Sequence, residues 1–403
     1  MKCDVVSASA LAKKVRHFVD TQILPNESVL AADDNDARTL TIELTRRARL
    51  ADIFGTFYPM DHGGRIGRLA DYMQVAEQEG RSEYAPGILG ADATLDAYML
   101  FHYARPVVRE RFLHPLVKGA AVSSYAMSEP DSIGSIPATM TCRAQFQNGY
   151  WHVNGRKWFI CRSQVASFAT VVARTSDGPV SGALSMLVVP TDATGFQIVR
   201  PLSILGRWRG QNELSFNNVA VPEDYLLGMK GQGVALMQQR LSLGRLLRAV
   251  QWLGLAQRCF DIMCERIHSP RGEMARLADK QLVRARVYKV YRGIASARCL
   301  LQDAAEKFDE GVSNSIEVNV TKLAVSDALS AAVDCAIQIM GAEGLADWTP
   351  LSGIYRVART THIMDGADDA LISAVGRQLL SATKPDRLFD PLRPSMNLSK
   401  VSE

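Results

Sequence analysis

The chain has no CxxC pair, and its seven cysteines, at 3, 142, 161, 259, 264, 299 and 335, are an odd number. Seven histidines are scattered among them without ligand spacing. A disulfide framework and a zinc site are therefore both set aside, no metal is expected, and a reducing, cytoplasmic setting is the default. Charge of one sign is also scarce. The net charge is only +4 over 403 residues, and Lys and Arg are spread rather than clustered. That distribution argues against a nucleic-acid partner. No uninterrupted apolar run is long enough to span a bilayer, so no membrane is expected. The first residues, Met1 to Leu24, have a weak amphipathic pattern and do not read as a signal peptide. Internal repeats and low-complexity tracts are missing as well.

What remains is an ordinary globular composition, 47% hydrophobic and 22% charged. A chain of this length buries enough apolar surface to need no covalent staple. Its pattern changes twice. Residues 1–120 carry apolar side chains at three- and four-residue spacing, as in Leu11, Val15, Phe18 and Val19, and later Leu69, Tyr72, Met73 and Ala76. Residues 121–230 hold short β-branched or aromatic runs separated by Gly, Asn, Asp and Pro, which predicts an antiparallel β unit. From 231 to 383 the helical period returns, over Gly233–Arg266, Leu277–Glu310 and Ser315–Met340, and predicts a bundle. Residues 384–403 read as an irregular tail. The expected class is α+β: an N-terminal helical domain, a middle antiparallel β domain and a C-terminal four-helix bundle.

Four segments stand out in this frame. They are Tyr125-Ala126-Met127-Ser128-Glu129-Pro130, Asn154-Gly155-Arg156-Lys157-Trp158-Phe159-Ile160-Cys161, Gln338-Ile339-Met340-Gly341-Ala342-Glu343-Gly344, and Tyr355-Arg356-Val357-Ala358-Arg359 followed by Ile363-Met364-Asp365-Gly366. Taken singly, each has a plain structural explanation. Trp158 and Phe159 read as core strand residues. Gly341 and Gly344 read as a helix C-cap and turn. Asp365-Gly366 reads as a turn, and Arg245 as a solvated helix charge.

In this order, however, the four segments resemble the acyl-CoA dehydrogenase family over roughly residues 52–380. The resemblance implies FAD as cofactor. Tyr125, Met127 and Ser128 would meet the flavin ring, Phe159 and Cys161 would lie against it, and Gly134 and Ser135 would stand at the diphosphate. Arg271 would contact the diphosphate from a neighbouring subunit, and Gln338, Gly341 and Gly344 would receive the adenosine part there. A flat aromatic wall with few donors at its edge suits a flavin, and a glycine turn lets backbone approach a nucleotide. Asp365 would be the catalytic base, with Gly366 beside it and Arg245 near the nucleotide end of the substrate.

The resemblance further implies an acyl thioester substrate, of CoA or of a carrier protein. It implies an electron-transfer flavoprotein or oxygen as acceptor, and a homodimer or homotetramer. Most family members carry Glu where Asp365 stands, and Asp reaches roughly 1.5 Å less. "ADGPDE" subgroups, some handling hydroxylated acyl chains, and nitroalkane oxidase share this Asp. The alternative base position on the helix Ser242-Leu243-Gly244-Arg245 is a glycine and cannot act. Three departures matter: the "GAGSD" turn reads Asp131-Ser132-Ile133-Gly134-Ser135, the Arg271 segment lacks its Phe, and Ile372 replaces an arginine seven residues past the base. A flavin oxidase of nitroalkane-oxidase type and a non-catalytic relic of the fold are the two rivals.

Overall fold

Ser7 begins the first helix because its hydroxyl accepts a hydrogen bond from the Ala10 N–H at 3.2 Å, answering one orphan donor of the first turn. The structure, a computed structural model, describes residues 7–32, 34–134 and 136–382. Ser135 and the tail 384–403 lie outside the described residues. Four helices dominate the N-terminal region: α1 (Ala8–Phe18), α2 (Asn35–Leu50), α3 (Leu69–Glu79) and α4 (Thr94–Tyr103). The apolar stripe Leu11, Val15 and Phe18 is buried, as its spacing predicts.

Eight strands follow among the described residues: β1 (Ser123–Ala126), β2 (Arg143–Gln147), β3 (Tyr150–Cys161), β4 (Phe168–Arg174), β5 (Leu184–Pro190), β6 (Phe196–Ile204), β7 (Arg207–Pro222) and β8 (Leu226–Leu227). Their order is β6-β7-β3-β2-β4-β5-β8, with β1 on β4. The sheet is mainly antiparallel, as expected, with two parallel pairs, β1 and β2 each on β4. Parallel neighbours require a crossover. Here the chain leaves β1, forms the β2–β3 hairpin, and only then returns as β4.

The C-terminal region contains α5 (Gly233–Ile267), α6 (Gln281–Asp309), α7 (Ser315–Met340), α8 (Leu351–Thr361) and α9 (Asp368–Ala382). α6 starts four residues later than the period suggested, since Arg276 adopts φ 51° and Leu277–Asp279 form a separate 3₁₀ turn. α7 is the most apolar of the long helices, though Glu317, Lys322, Asp327 and Asp334 interrupt it. By length and composition alone it could cross a membrane, with a mean hydropathy of 1.5, yet it packs inside the bundle against α5 and α6.

The N-terminal helices dock on this bundle through close contacts. α3 runs into Gly80 where α5 presents Gly254. A Cβ on Gly80 would stand 2.2 Å from the Gln251 carbonyl oxygen, and one on Gly254 would stand 2.2 Å from that of Glu77. Asp309, at the end of α6, accepts from the N–H groups of Leu69 and Ala70 at 2.8 and 2.9 Å, so one helix end caps another. Arg298 of α6 clamps Glu77 of α3 through two bonds of 2.9 and 2.7 Å.

Inside this junction Glu79 is 1% exposed. It accepts from the Tyr72 hydroxyl at 2.5 Å and from Thr56 at 3.4 Å. Burial pushes its carboxyl up to about 7, against the pull of those two hydrogen bonds. The folded state therefore holds a proton that the unfolded chain releases near 4.5. The stability this provides is complete below about pH 4.5 and is lost as pH rises through about 7. Glu79→Gln, which mimics the neutral acid, is expected to gain on the wild type by about 2–3 kcal/mol between pH 5 and pH 8. Thermal unfolding of both proteins at the two pH values checks it.

Candidate active site

The segment after β1 is held in place by a buried charge. Lys157 of β3 is 0% exposed and Glu129 is 2% exposed. The Lys157 ammonium donates to the Met127 carbonyl at 2.7 Å and to Glu129 Oε1 at 2.9 Å. Glu129 also accepts from the Thr141 N–H, the Thr141 hydroxyl and the Cys142 N–H, at 2.6, 2.8 and 3.0 Å. Burial raises the Glu129 carboxyl, but Lys157 and the Thr141 hydrogen bonds outweigh it and hold the group below its ordinary value. With Met127 fixed, the Ser128 carbonyl accepts from the Trp158 N–H at 3.0 Å. Tyr125 lies under Arg240, whose guanidinium carbon is 3.9 Å from the ring centre.

Opposite this loop β3 breaks its register. Lys157 faces Leu214 and Ile160 faces Asn212, so Trp158 and Phe159 bulge from the ladder. Phe159 takes φ 54° and is 46% exposed. A plain core strand residue would be extended and buried, so that reading of Phe159 fails. Cys161, two residues on, opens to solvent on one side. Surrounding protein pushes its thiol up, against the pull of Arg248 and Arg162. Gly134 is exposed, and a Cβ there would meet nothing within 4 Å.

The second part of the site is the connection between α8 and α9. Asp365 sits there with φ 55° and Gly366 with φ 111°. A non-glycine residue in the left-handed region is an outlier of the kind that clusters at functional sites. Arg245 of α5 donates from Nε to the Asp365 carbonyl at 2.7 Å and from Nη1 to Asn319 Oδ1 at 3.0 Å. Its guanidinium thus grips the turn itself. Lys322 of α7 donates to the Gly366 carbonyl at 3.0 Å.

One turn further along α5, Arg248 joins the two parts. Burial disfavours its charge, but Asp92, Asp365 and Cys161 together hold its pKa above the ordinary value. It donates to Asp92 Oδ1 at 3.1 Å and to Gln251 Oε1 at 3.2 Å. Burial raises the Asp92 carboxyl, and Arg248 and Arg162 more than reverse that. Gly244, on the same helix, is buried, and a Cβ there would stand 3.0 Å from Leu95. Sequence reasoning missed Arg248, Asp92, Lys322, Asp368 and His362. The available signals were Arg248 at helical spacing from Gly244 and the four-residue spacing of Lys322, Ser326 and Ser330.

A third group lies elsewhere. Gln338, Gly341 and Gly344 stand at the C-terminal end of α7, with Gln338 roughly 24 Å along the helix axis from Lys322. Gly341 takes φ 68° with nothing within 4 Å of its Cβ position, whereas a Cβ on Gly344 would lie 2.8 Å from Ile337 Cα. Arg271 reaches this turn through an ion pair with Glu343, which also pairs with Arg266 at 3.2 Å.

These positions agree with an order of domains that other chains share. Three family models match: the acyl-CoA dehydrogenase N-terminal domain over residues 7–120, the middle domain over 124–219 and the C-terminal domain over 231–380. The chain belongs to the acyl-CoA dehydrogenase family, whose cofactor is FAD and whose members are oxidoreductases acting on CH–CH groups. It is 29% identical over 383 residues to acyl-CoA dehydrogenase family member 11 of Homo sapiens, covering 90% of this chain and 49% of that protein. It thus spans about half the length of such relatives. Glutaryl-CoA dehydrogenase of Desulfococcus multivorans is 27% identical over 385 residues, covering 94% of this chain and 97% of the relative. Among solved structures, the glutaryl-coenzyme A dehydrogenase glutaryl-CoA complex matches with a TM-score of 0.84 and 25% identity, covering 96% of this chain and 98% of that one.

The Glu343 carboxylate neutralises Arg271 at the turn where the adenosine diphosphate half of FAD is expected. Glu343→Gln frees that arginine and removes a negative charge. It is expected to tighten FAD binding about two- to fivefold at low salt, the range of an exposed ion pair. Titration of apoprotein with FAD, read by flavin fluorescence, checks this.

Proposed function

We propose that the chain is an FAD-dependent dehydrogenase that places an α,β-double bond in an acyl thioester, with Asp365 as the base. The observation that carries the reading is the Asp365 turn. The left-handed turn is held through its carbonyls by the half-buried Arg245 and the buried Lys322, which leaves the Asp365 carboxylate unbonded. No hydrogen bond or ion pair engages the Asp365 carboxylate among the described residues, so it is free to take a proton.

The residues present suit a flavin. Phe159 offers an exposed aromatic face beside Cys161, and the Tyr125–Ser128 segment is tied to the same bulge through the Ser128–Trp158 hydrogen bond. Gly134 would leave room at the diphosphate. Gln338, Gly341, Gly344 and Arg271 would hold the adenosine half of the cofactor of a second copy, since they stand far along α7 from the Asp365 turn. When bound, FAD supplies the acceptor for the β-hydride. This chain supplies the rest. Asp365 takes the α-proton as the Cα–H bond breaks, and the Lys157–Glu129 pair keeps the Ser128 loop against β3.

Family members bind acyl-CoA and pass electrons to an electron-transfer flavoprotein, and we extend both to this chain, with oxygen as the other acceptor. A homodimer or homotetramer in the cytoplasm completes the reading. Ile372 is 57% exposed where nitroalkane-oxidase-type chemistry would want an arginine, which disfavours that rival.

The purified protein is expected to be yellow, and anaerobic addition of butyryl-, octanoyl- or palmitoyl-CoA is expected to bleach the flavin band. Asp365→Ala should keep the flavin and lose bleaching by about 100-fold or more. Full bleaching in Asp365→Ala would remove the base assignment. A protein without flavin after FAD addition would remove the enzyme reading.

A further inference from the structure

A line of buried and half-buried polar side chains runs beneath the Asp365 turn. Lys322, Ser326 and Ser330 recur every fourth residue on α7, so they share one face of the helix. Lys322 is 0% exposed. Besides the Gly366 carbonyl, its ammonium donates to Asp368 Oδ1 at 2.5 Å. The other Asp368 oxygen is 2.6 Å from His362 Nδ1, and His362 Nε2 is 2.7 Å from the Ser330 hydroxyl. The Ser326 hydroxyl donates to the Lys322 carbonyl at 3.1 Å and to that of Thr361 at 3.5 Å. An ionised Asp368 only accepts, so the His362 proton sits on Nδ1, and in the neutral ring Ser330 donates to Nε2.

His362 and Asp368 stand at the two ends of the connection that carries Asp365. The Asp368 N–H closes it by donating to the His362 carbonyl at 3.0 Å. The connection is therefore fixed at its start, at its end and at Gly366, while the Asp365 carboxylate is left unpaired. A buried lysine is costly unless its partners are well placed. Burying one for a single backbone carbonyl and one carboxylate, both in this connection, serves the geometry of the turn.

We propose that Lys322, Asp368, His362 and Ser330 act together as positioning residues that set the reach of Asp365. An aspartate reaches roughly 1.5 Å less than a glutamate, so the turn must make up that distance, and displacement on this scale changes rates by about 100-fold. The proposal rests on Asp365 being the base, and its tests separate the two claims.

Asp368→Asn removes the charge that pairs with Lys322 and changes the partner of His362. It is expected to slow flavin bleaching at saturating octanoyl-CoA by 10- to 100-fold, with flavin content and octanoyl-CoA affinity unchanged within about twofold. Ser330→Ala, at the far end of the line, should slow it less, by about two- to fivefold. Amide hydrogen exchange of residues 360–370, which needs neither flavin nor substrate, is expected to quicken in both variants while α5 and α6 keep their protection. Asp365→Glu provides the coupling: its loss of rate should shrink in the Asp368→Asn background, because a loosened turn no longer favours the shorter side chain. Should Asp368→Asn not fold, His362→Gln and Ser330→Ala carry the same readings. If Asp365→Asn abolishes bleaching while the positioning variants keep both full rate and wild-type exchange, the proposal falls and the base assignment stands. If Asp365→Asn still bleaches, the base assignment itself falls.

Discussion

Two lysines with no exposed side-chain surface hold the site together, and they do so by the same device. Lys157 donates to Glu129 and to the Met127 carbonyl; Lys322 donates to Asp368 and to the Gly366 carbonyl. In each case the carboxylate balances the charge and the carbonyl belongs to a loop that the chemistry needs in one place. Removing one member of such a pair leaves an uncompensated buried charge, at a cost of about 3–5 kcal/mol. A pair of this kind adds little net stability against an apolar core. What it contributes is a single loop conformation, since no other arrangement satisfies both the charge and the carbonyl.

The two pinned loops belong to different domains, so their relation depends on how the domains dock. α5 decides it. This helix carries Arg240 under Asp96 and over Tyr125, Arg245 on the Asp365 turn, Arg248 on Asp92, and Gly254 against α3. Its arginines thus reach the β domain's first strand, the Asp365 turn and the N-terminal helices in succession. The glycine contact fixes the closeness of α3 and α5. A methyl group there would press on backbone rather than on a movable side chain. α5 therefore transmits the packing of the N-terminal core to the position of both loops.

Much of this was legible in the sequence, and the failures have physical causes. Helical spacing identified α1, α3 and the long bundle helices because one face of each is buried. The β unit was visible, but its parallel pairs were not, since strand composition is the same for either direction. The bulge at Trp158–Phe159 was invisible because register is set by the facing strand, β7. The hold of Arg245 on the Asp365 carbonyl was not visible either, because a charge on a helix carries no sign of what it faces. Lys322 and Asp368 were missed for a related reason. A lone lysine in an apolar helix and an acid in a helix's first turn both have commonplace explanations, and only the fold brings them to one carbonyl.

The two halves of the inferred cofactor site are built to different standards. Around the Ser128 loop and the bulge, charges are buried and every Glu129 and Lys157 contact is satisfied within the chain. Around the Gly341–Gly344 turn, Gln338, Gly341 and Arg271 are exposed, and the one ion pair of Arg271 points to Glu343. Exposed pairs are screened by salt and worth little, whereas buried ones are not. Any anion arriving at that turn must compete with a carboxylate already present. The Ser128 loop and the bulge are thus held by buried contacts within the single chain, whereas the Gly341–Gly344 turn rests on exposed ones. The Ser128 loop and the Asp365 turn are each fixed by a buried lysine, while salt or a competing anion can loosen the ion pair at the Gly341–Gly344 turn.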